Sequence, residues 1–250
     1  MCRLLGAVGR DPFPVRSYLL DAPHGLQAMS VGGRHAPHRD GVGWAYRDGL
    51  GRMRLHRWGA AALARAETLP GAPSGETTLL LAHARKASPE YRAVRGALQA
   101  QPMVQDGLFL AHNGTIRDVA ALGAGPGTDS QRLLAWLVRA WSPRTADGLL
   151  VALRDLAGRI HDFTAVNLVL SDGSGLYALC LYTREPDYYT LHWREGNGVI
   201  VVASEPSDSG PGWNVLRNGD LLSVGPDLSP RVVRASPMPT ANGGPGQSPR

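Results

Sequence analysis

Met1-Cys2-Arg3-Leu4-Leu5-Gly6 opens the chain with a cysteine directly behind the initiator methionine, at the head of a strand expected to run from Arg3 to Val8. Loss of Met1 would give Cys2 a free α-amino group, so that one residue carries both a sulfur nucleophile and a base. The thiolate is the reactive form of cysteine, and a neighbouring base raises its population. An α-amine titrates near ~8, close enough to neutrality to take up a proton and return it. Pairing a nucleophile with the chain's own amine is an established activation scheme. The plainer reading makes Cys2 a small residue at a strand start. Four segments further along bear on the choice.

Asp40-Gly41-Val42-Gly43-Trp44 is a glycine-containing turn that enters a strand. Ala82-His83-Ala84-Arg85-Lys86-Ala87-Ser88 ends an apolar strand, and so does Ala111-His112-Asn113-Gly114-Thr115-Ile116. Thr128-Asp129-Ser130-Gln131 starts a helix. These segments supply what amide cleavage needs. Attack on the carbonyl builds negative charge on its oxygen, and preorganised donors stabilise that charge. Asn113 offers a side-chain NH2, and Gly114 a backbone N–H with no side chain in the way. Arg85 can clamp a carboxylate through two parallel hydrogen bonds. Asp129 can hold an ammonium. The two charges together would recognise a free amino acid. Each residue also has a plainer reading. Asn-Gly marks hairpins, Asp129 suits the first turn of any helix, and Arg85 could pair with a surface acid. Trp44 could be core or pocket wall. His83 and His112 read as strand-end residues that orient their neighbours.

Taken in order behind an N-terminal cysteine, the set Met1-Cys2, His83-Ala84-Arg85, His112-Asn113-Gly114 and Thr128-Asp129-Ser130 resembles the class II glutamine amidotransferases, members of the N-terminal-nucleophile (Ntn) hydrolases. The resemblance covers roughly residues 1 to 225. It implies Cys2 as nucleophile with its α-amine as base, and Asn113 and Gly114 as oxyanion hole. Arg85 would hold the substrate α-carboxylate, Asp129 its α-amine, and Ser88 would stand in the pocket. It implies an α+β fold, a four-layer αββα sandwich with two antiparallel sheets between helical layers. No cofactor is implied. The opening hexapeptide, Arg85-Lys86-Ala87-Ser88 and Ala203-Ser204-Glu205-Pro206 resemble the small stand-alone branch that includes ergothioneine-pathway hydrolases. This chain departs from the family pattern at Ser88, where Thr is common, and at Pro89, where a small or polar residue is common. It departs again at Gln131, where an acid is common. Pro89 bears on substrate preference at the pocket lip.

The resemblance implies hydrolysis of the γ-amide of glutamine or of a γ-glutamyl compound through a Cys2 thioester. Two variants stand within it: a lone amidohydrolase on a larger γ-glutamyl substrate, or a glutaminase subunit passing ammonia to a partner synthase. Nothing in the 250 residues reads as an acceptor or nucleotide-binding domain, since no glycine-rich phosphate loop occurs. That tilts the expectation towards the first. A catalytically inactive binding module on the same fold is the rival from another class.

Composition narrows the remaining classes. The net charge of +5 includes three arginines and no acid between Ser229 and Arg250, which leaves a nearly neutral body. Such a body lacks the electrostatic footprint of a nucleic-acid binder. Two cysteines make no disulfide framework, and Cys180 lies in an apolar strand run. No signal peptide or membrane-length apolar run is visible, so a reducing cytoplasm is expected. His35 and His38 have metal-ligand spacing, but Pro37 intervenes and no cysteine joins them, so no metal site is expected.

The expected organisation is one domain over residues 1–228 and a disordered Pro/Gly/Ser-rich tail over 229–250. Further strands are expected at Thr77 to His83, Leu108 to His112, Ala165 to Ser171, Gly175 to Tyr182, Thr190 to Arg194, Val199 to Ala203 and Asp220 to Val224. Helices are expected at Ala60 to Leu69, at Asp129 to Trp141 behind a Thr128/Gln131 capping box, and at Thr145 to Ile160. Strands and helices do not alternate, which points to antiparallel sheets with helices packed outside.

Overall fold

Alternate side chains of the first strand go to different cores, and this splits the molecule into layers. The computed structural model describes residues 2–33, 35–59 and 75–236. Among them, the strands are β1 (Arg3–Pro14), β2 (Gly41–Arg47), β3 (Met53–Trp58), β4 (Glu76–Arg85), β5 (Met103–Gln105), β6 (Leu108–Ile116) and β7 (Phe163–Ser171). They continue as β8 (Leu176–Cys180), β9 (Leu191–Gly196), β10 (Val199–Ala203), β11 (Asn214–Leu216), β12 (Asp220–Val224) and β13 (Pro230–Arg234). The α-helices are α1 (Leu26–Val31), α2 (Asp129–Ala140), α3 (Ala146–Arg159) and α4 (Pro186–Tyr189).

Two antiparallel sheets result. The first runs β11-β9-β10-β1-β4-β2-β3, and the second β13-β12-β8-β7-β6-β5. Leu4 and Val8 of β1 and Leu79 and Leu81 of β4 pack between the sheets, against Phe109, Ala111, Val169 and Ala178 of the second. Their neighbours Leu5, Ala7, Leu80 and Ala82 face the other way, onto Leu26 and Met29 of α1. On β6, Leu108 and Leu110 turn outward to Leu133, Leu137, Leu149 and Leu153 of α2 and α3. The period of two in these strands thus builds the expected α+β sandwich, with two sheets between helical layers. Thr128 accepts from the Gln131 backbone while the Gln131 side chain reaches back to the Thr128 nitrogen, so the capping box starts α2 at Asp129.

The expected tail is corrected at its start. Pro230–Arg234 pairs along β12, from Val224 opposite Pro230 to Asp220 opposite Arg234. Val233 packs on the core beneath α3, and Ala235 is buried within it. Two adjacent valines and one open sheet edge suffice to order this segment, although its surroundings are rich in Pro, Gly and Ser. Residues 237–250 of that tail lie outside the described residues, as does the expected Ala60 to Leu69 helix. Strands β3, β5 and β11 and helix α1, not foreseen from the sequence, are all six residues or shorter.

Gly6 of β1 marks the closest approach of the two sheets. A Cβ there would stand 2.7 Å from Val169 Cγ1 and 2.9 Å from Leu176 Cδ1. Gly6→Ala is therefore expected to destabilise the protein by about 1–3 kcal/mol through overpacking, measured by denaturant unfolding. An unchanged midpoint would show that the sheets have slack at this point.

Candidate active site

Cys2, His83, Arg85 and Asn113 share one property: each lies on the face of its strand that looks between the sheets. Arg3 pairs with Ala84 in the β1–β4 register, which sets Cys2 beside Arg85 at the strand ends. Asn113 continues the inward series of Phe109 and Ala111 on β6. It meets Cys2 across the gap, where the Cys2 main-chain nitrogen donates to Asn113 Oδ1 at 2.7 Å. The thiol of Cys2 lies 3.7 Å from the Lys86 carbonyl oxygen. With Oδ1 engaged, the Asn113 amide keeps Nδ2, a buried donor without a partner among the described residues.

Gly114 has φ +151 and sits at the start of a register shift between β6 and β7. A Cβ at this position would collide with the Ala165 backbone. Only glycine lets the chain bend here while its N–H stays beside the pocket.

Cys2, Arg85, Lys86, Ser88, Gly114, Asp129 and Ser130 line one pocket, with Tyr91, Gln99, Gln101 and Met103 on its further walls. Arg85 is 6% exposed. Its Nη2 donates weakly to the Tyr91 carbonyl at 3.5 Å, and its Nη1 is buried without a partner among the described residues. Asp129 Oδ2 accepts from the Ile116 nitrogen at 3.0 Å, and Oδ1 from the Ser130 nitrogen at 2.8 Å. Oδ1 also lies 3.5 Å from Ser130 Oγ, whereas Oδ2 retains a second lone pair at which a cation can be received. Ser88 stands at the lip, just before the turn Pro89–Tyr91. The structure thus brings five of the six sequence-nominated residues to the lining of one pocket, and the sixth, Asn113, onto Cys2.

Loop Asp40 supports the rim, since its carboxylate accepts from the Ala87 nitrogen at 2.8 Å. Trp44 is fully buried in the outer core of the first sheet rather than in the pocket wall. His112 Nδ1 meets Ser130 Oγ at 2.8 Å, and His83 Nε2 lies 3.3 Å from the His112 carbonyl oxygen. Burial pushes the His83 imidazole down to about 3 and lowers that of His112, so both are neutral, His83 behind the pocket and His112 in its lining. His35 and His38 both approach Tyr188. Among the described residues no group of three or more His, Cys, Asp or Glu side chains is placed to hold a metal. No helix among them is long and apolar enough to cross a membrane.

The walls Tyr91, Gln99, Gln101 and Met103 escaped the sequence reading. Gln101 is 4% exposed, and its Oε1 accepts from the His112 nitrogen at 2.6 Å while its Nε2 donates to Ser130 Oγ at 3.2 Å. Its one local sign is a polar residue between Ala100 and Pro102, which is too common to single out.

A cysteine whose nitrogen is held by a carboxamide, two buried donors without partners among the described residues and an acid at a helix start are gathered in one place. The sequence profile described as class II glutamine amidotransferases matches residues 1–193. The chain belongs to the class II glutamine amidotransferases. Membership makes it an enzyme that opens the γ-amide of glutamine or of a γ-glutamyl compound. This amidotransferase is 31% identical over 234 residues to the gamma-glutamyl-hercynylcysteine sulfoxide hydrolase of Mycobacterium tuberculosis (strain CDC 1551 / Oshkosh), covering 90% of this chain and 93% of that protein. It is 29% identical to the protein of the same name from Mycolicibacterium smegmatis, covering 90% of this chain and 96% of that one. Among solved structures it is similar to the glutamine phosphoribosylpyrophosphate amidotransferase of B. subtilis, with TM-score 0.65 and 19% identity over 94% of this chain. It spans about half, 49%, of that longer chain. A glutamine aminotransferase class-II domain protein from Silicibacter pomeroyi has TM-score 0.61 and 19% identity, covering 94% of this chain and 100% of that one. These two likenesses bear on the fold alone.

The buried histidines make stability depend on pH. Burial holds His38, like His83, at about 3 against an ordinary 6.5. Below 6.5 the unfolded chain takes up protons that the native state refuses, so stability is full above 6.5 and is lost as pH falls towards 3. Each group contributes a slope of up to about 1.4 kcal/mol per pH unit inside that window. Urea unfolding at pH 7, 6, 5 and 4 should show a falling midpoint. A flat series would contradict two neutral buried imidazoles.

Proposed function

We propose that the chain is a hydrolase of a γ-glutamyl compound larger than glutamine, with Cys2 as its nucleophile. The observation that carries the mechanism is the divided Asn113 amide. Its oxygen holds the Cys2 nitrogen at 2.7 Å, and its nitrogen has no partner among the described residues. Once Met1 is removed, the held N–H becomes an α-amine at the same point.

The steps follow from these positions. The α-amine accepts the thiol proton, and the sulfur attacks the γ-carbonyl carbon. Asn113 Nδ2 and the Gly114 N–H receive the oxyanion. The ammonium returns its proton to the leaving amine, and a thioester remains on Cys2. Water, deprotonated by the same amine, attacks the thioester and releases glutamate. Arg85 pairs with the α-carboxylate, Asp129 with the α-ammonium, and Ser88 lines the lip; these contacts hold the amide against the sulfur. Support for the larger substrate comes from the relatives named gamma-glutamyl-hercynylcysteine sulfoxide hydrolase, which match across nearly their whole length.

Glutamate release by the purified protein, from glutamine and from a panel of γ-glutamyl amides and γ-glutamylcysteine sulfoxide conjugates, tests the reading. The bulky compounds should turn over faster than glutamine. Brisk turnover of glutamine alone would favour a glutaminase that hands ammonia to a partner synthase. Intact mass should show Met1 removed. A retained Met1 with no turnover would favour an inactive binding module. Cys2→Ala should abolish the reaction with the fold intact. Asn113→Asp keeps the oxygen but replaces the donor, and kcat should fall about 10²–10³-fold; a wild-type kcat would rule out the assigned oxyanion hole.

A further inference from the structure

Behind the nucleophile lies a second set of buried polar groups that amide opening leaves unused. The Tyr188 hydroxyl donates to the Cys2 carbonyl oxygen at 3.1 Å. His38 Nε2 lies 3.3 Å from the same hydroxyl. Tyr188 is 3% exposed and His38 1%, and neither lines the substrate pocket.

A phenol has one proton to give. With that proton on the Cys2 carbonyl, the hydroxyl oxygen can only accept from His38. In that arrangement the imidazole carries its hydrogen on Nε2. Nδ1 makes no full hydrogen bond among the described residues, and the Ser30 backbone beside the ring works against the burial that lowers the imidazole. Burial, with Arg3 nearby, keeps the imidazole neutral, and burial raises the Tyr188 phenol so that it keeps its proton.

Tyr188 is itself clamped. The Arg3 guanidinium lies 4.4 Å over its ring. The rings of His35 and Tyr189 stand edge-on to it at 4.5 and 4.9 Å. Arg3 in turn has its Nε 3.0 Å from a Glu205 carboxylate oxygen, so the cation above the ring is neutralised. The main chain of Cys2 is thus gripped at both ends. Asn113 of the second sheet takes the nitrogen, and Tyr188 of α4 at 3.1 Å, with Arg3 Nη1 more weakly at 3.5 Å, takes the carbonyl. Two fixed points on opposite sides of one Cα set the direction of the Cα–Cβ bond that carries the sulfur.

We propose that Tyr188, with His38 behind it, is a positioning pair that aims the Cys2 sulfur at the substrate carbonyl. The inference rests on the reading of Cys2 as nucleophile. Misplacement of a reacting atom by about 1 Å can cost about a hundredfold in rate.

Steady-state kinetics on the γ-glutamyl amide that the wild type hydrolyses best, with melting temperatures alongside, tests the pair. Y188F keeps the ring under Arg3 and removes only the hydroxyl. It should lower kcat about ten- to a hundredfold, with KM changed by less than about twofold and the melting temperature nearly unmoved. H38L should lower kcat similarly, and H38Q, which retains an N–H donor near Nε2, should keep more activity than H38L. In Y188F/H38L the loss should not exceed that of Y188F alone, because His38 acts through the hydroxyl. A wild-type kcat in Y188F, a change confined to KM, additive losses, or H38Q no better than H38L would each overturn the pair. Wild type and Cys2→Ala with equal turnover would instead remove the nucleophile assignment. An active wild type, an inactive Cys2→Ala and an unaffected Y188F would remove the positioning pair alone.

Discussion

One carboxamide, that of Asn113, joins the two sheets at the end where Cys2 lies. Cys2 heads a central strand of one sheet, and Asn113 stands near the end of β6 in the other. Their bond forms only if the sheets close to normal packing distance, and Gly6 permits that close approach further along the same strand. It also needs β6 to bend just beyond Asn113, which the Gly114 backbone provides. Fold and site are therefore one constraint seen from two sides. The apolar faces that pack the sheets are the same faces that carry Cys2, Arg85 and Asn113 at their ends.

The site leaves polar groups unsatisfied, and their placement is informative. A buried donor without a partner costs about 1–3 kcal/mol. Asn113 Nδ2 and Arg85 Nη1 both bear that cost among the described residues. They are the two donors that an oxyanion and an α-carboxylate would engage. Around them the titratable histidines are held neutral by burial. The formal charges of the pocket lining thus include those of Arg85 and Asp129, and the neutral imidazoles of His83 and His112 add none.

The chemically distinctive residues were legible in the sequence because each lies at a strand end or helix start that its own neighbours announce. Asn113-Gly114 follows a continuous apolar run, Arg85 does the same, and Thr128 with Gln131 signals the start of α2. Cys2 and Asn113, 111 residues apart, meet only through sheet packing, and the meeting was inferred from chemical type and family likeness. Gln101, Tyr91, Tyr188 and His38 act through tertiary contacts and have no local pattern. His38 read as half of a weak metal motif, whereas its partner is a tyrosine 150 residues away. β13 was obscured for another reason: average composition over a long tail hid two valines with an open edge to pair.

The rims of the two sheets have a consequence for how this protein meets copies of itself. The described residues leave β11 and β3 at the ends of one sheet and β13 and β5 at the ends of the other. β11 and β5 are three residues each. β13 opens on a proline and carries Arg231 and Arg234, and β3 carries Arg54 and Arg57. Short length, proline and cationic side chains all discourage a foreign strand from docking edge to edge. Among the described residues, a molecule built from extended chain thereby offers poor templates for its own aggregation.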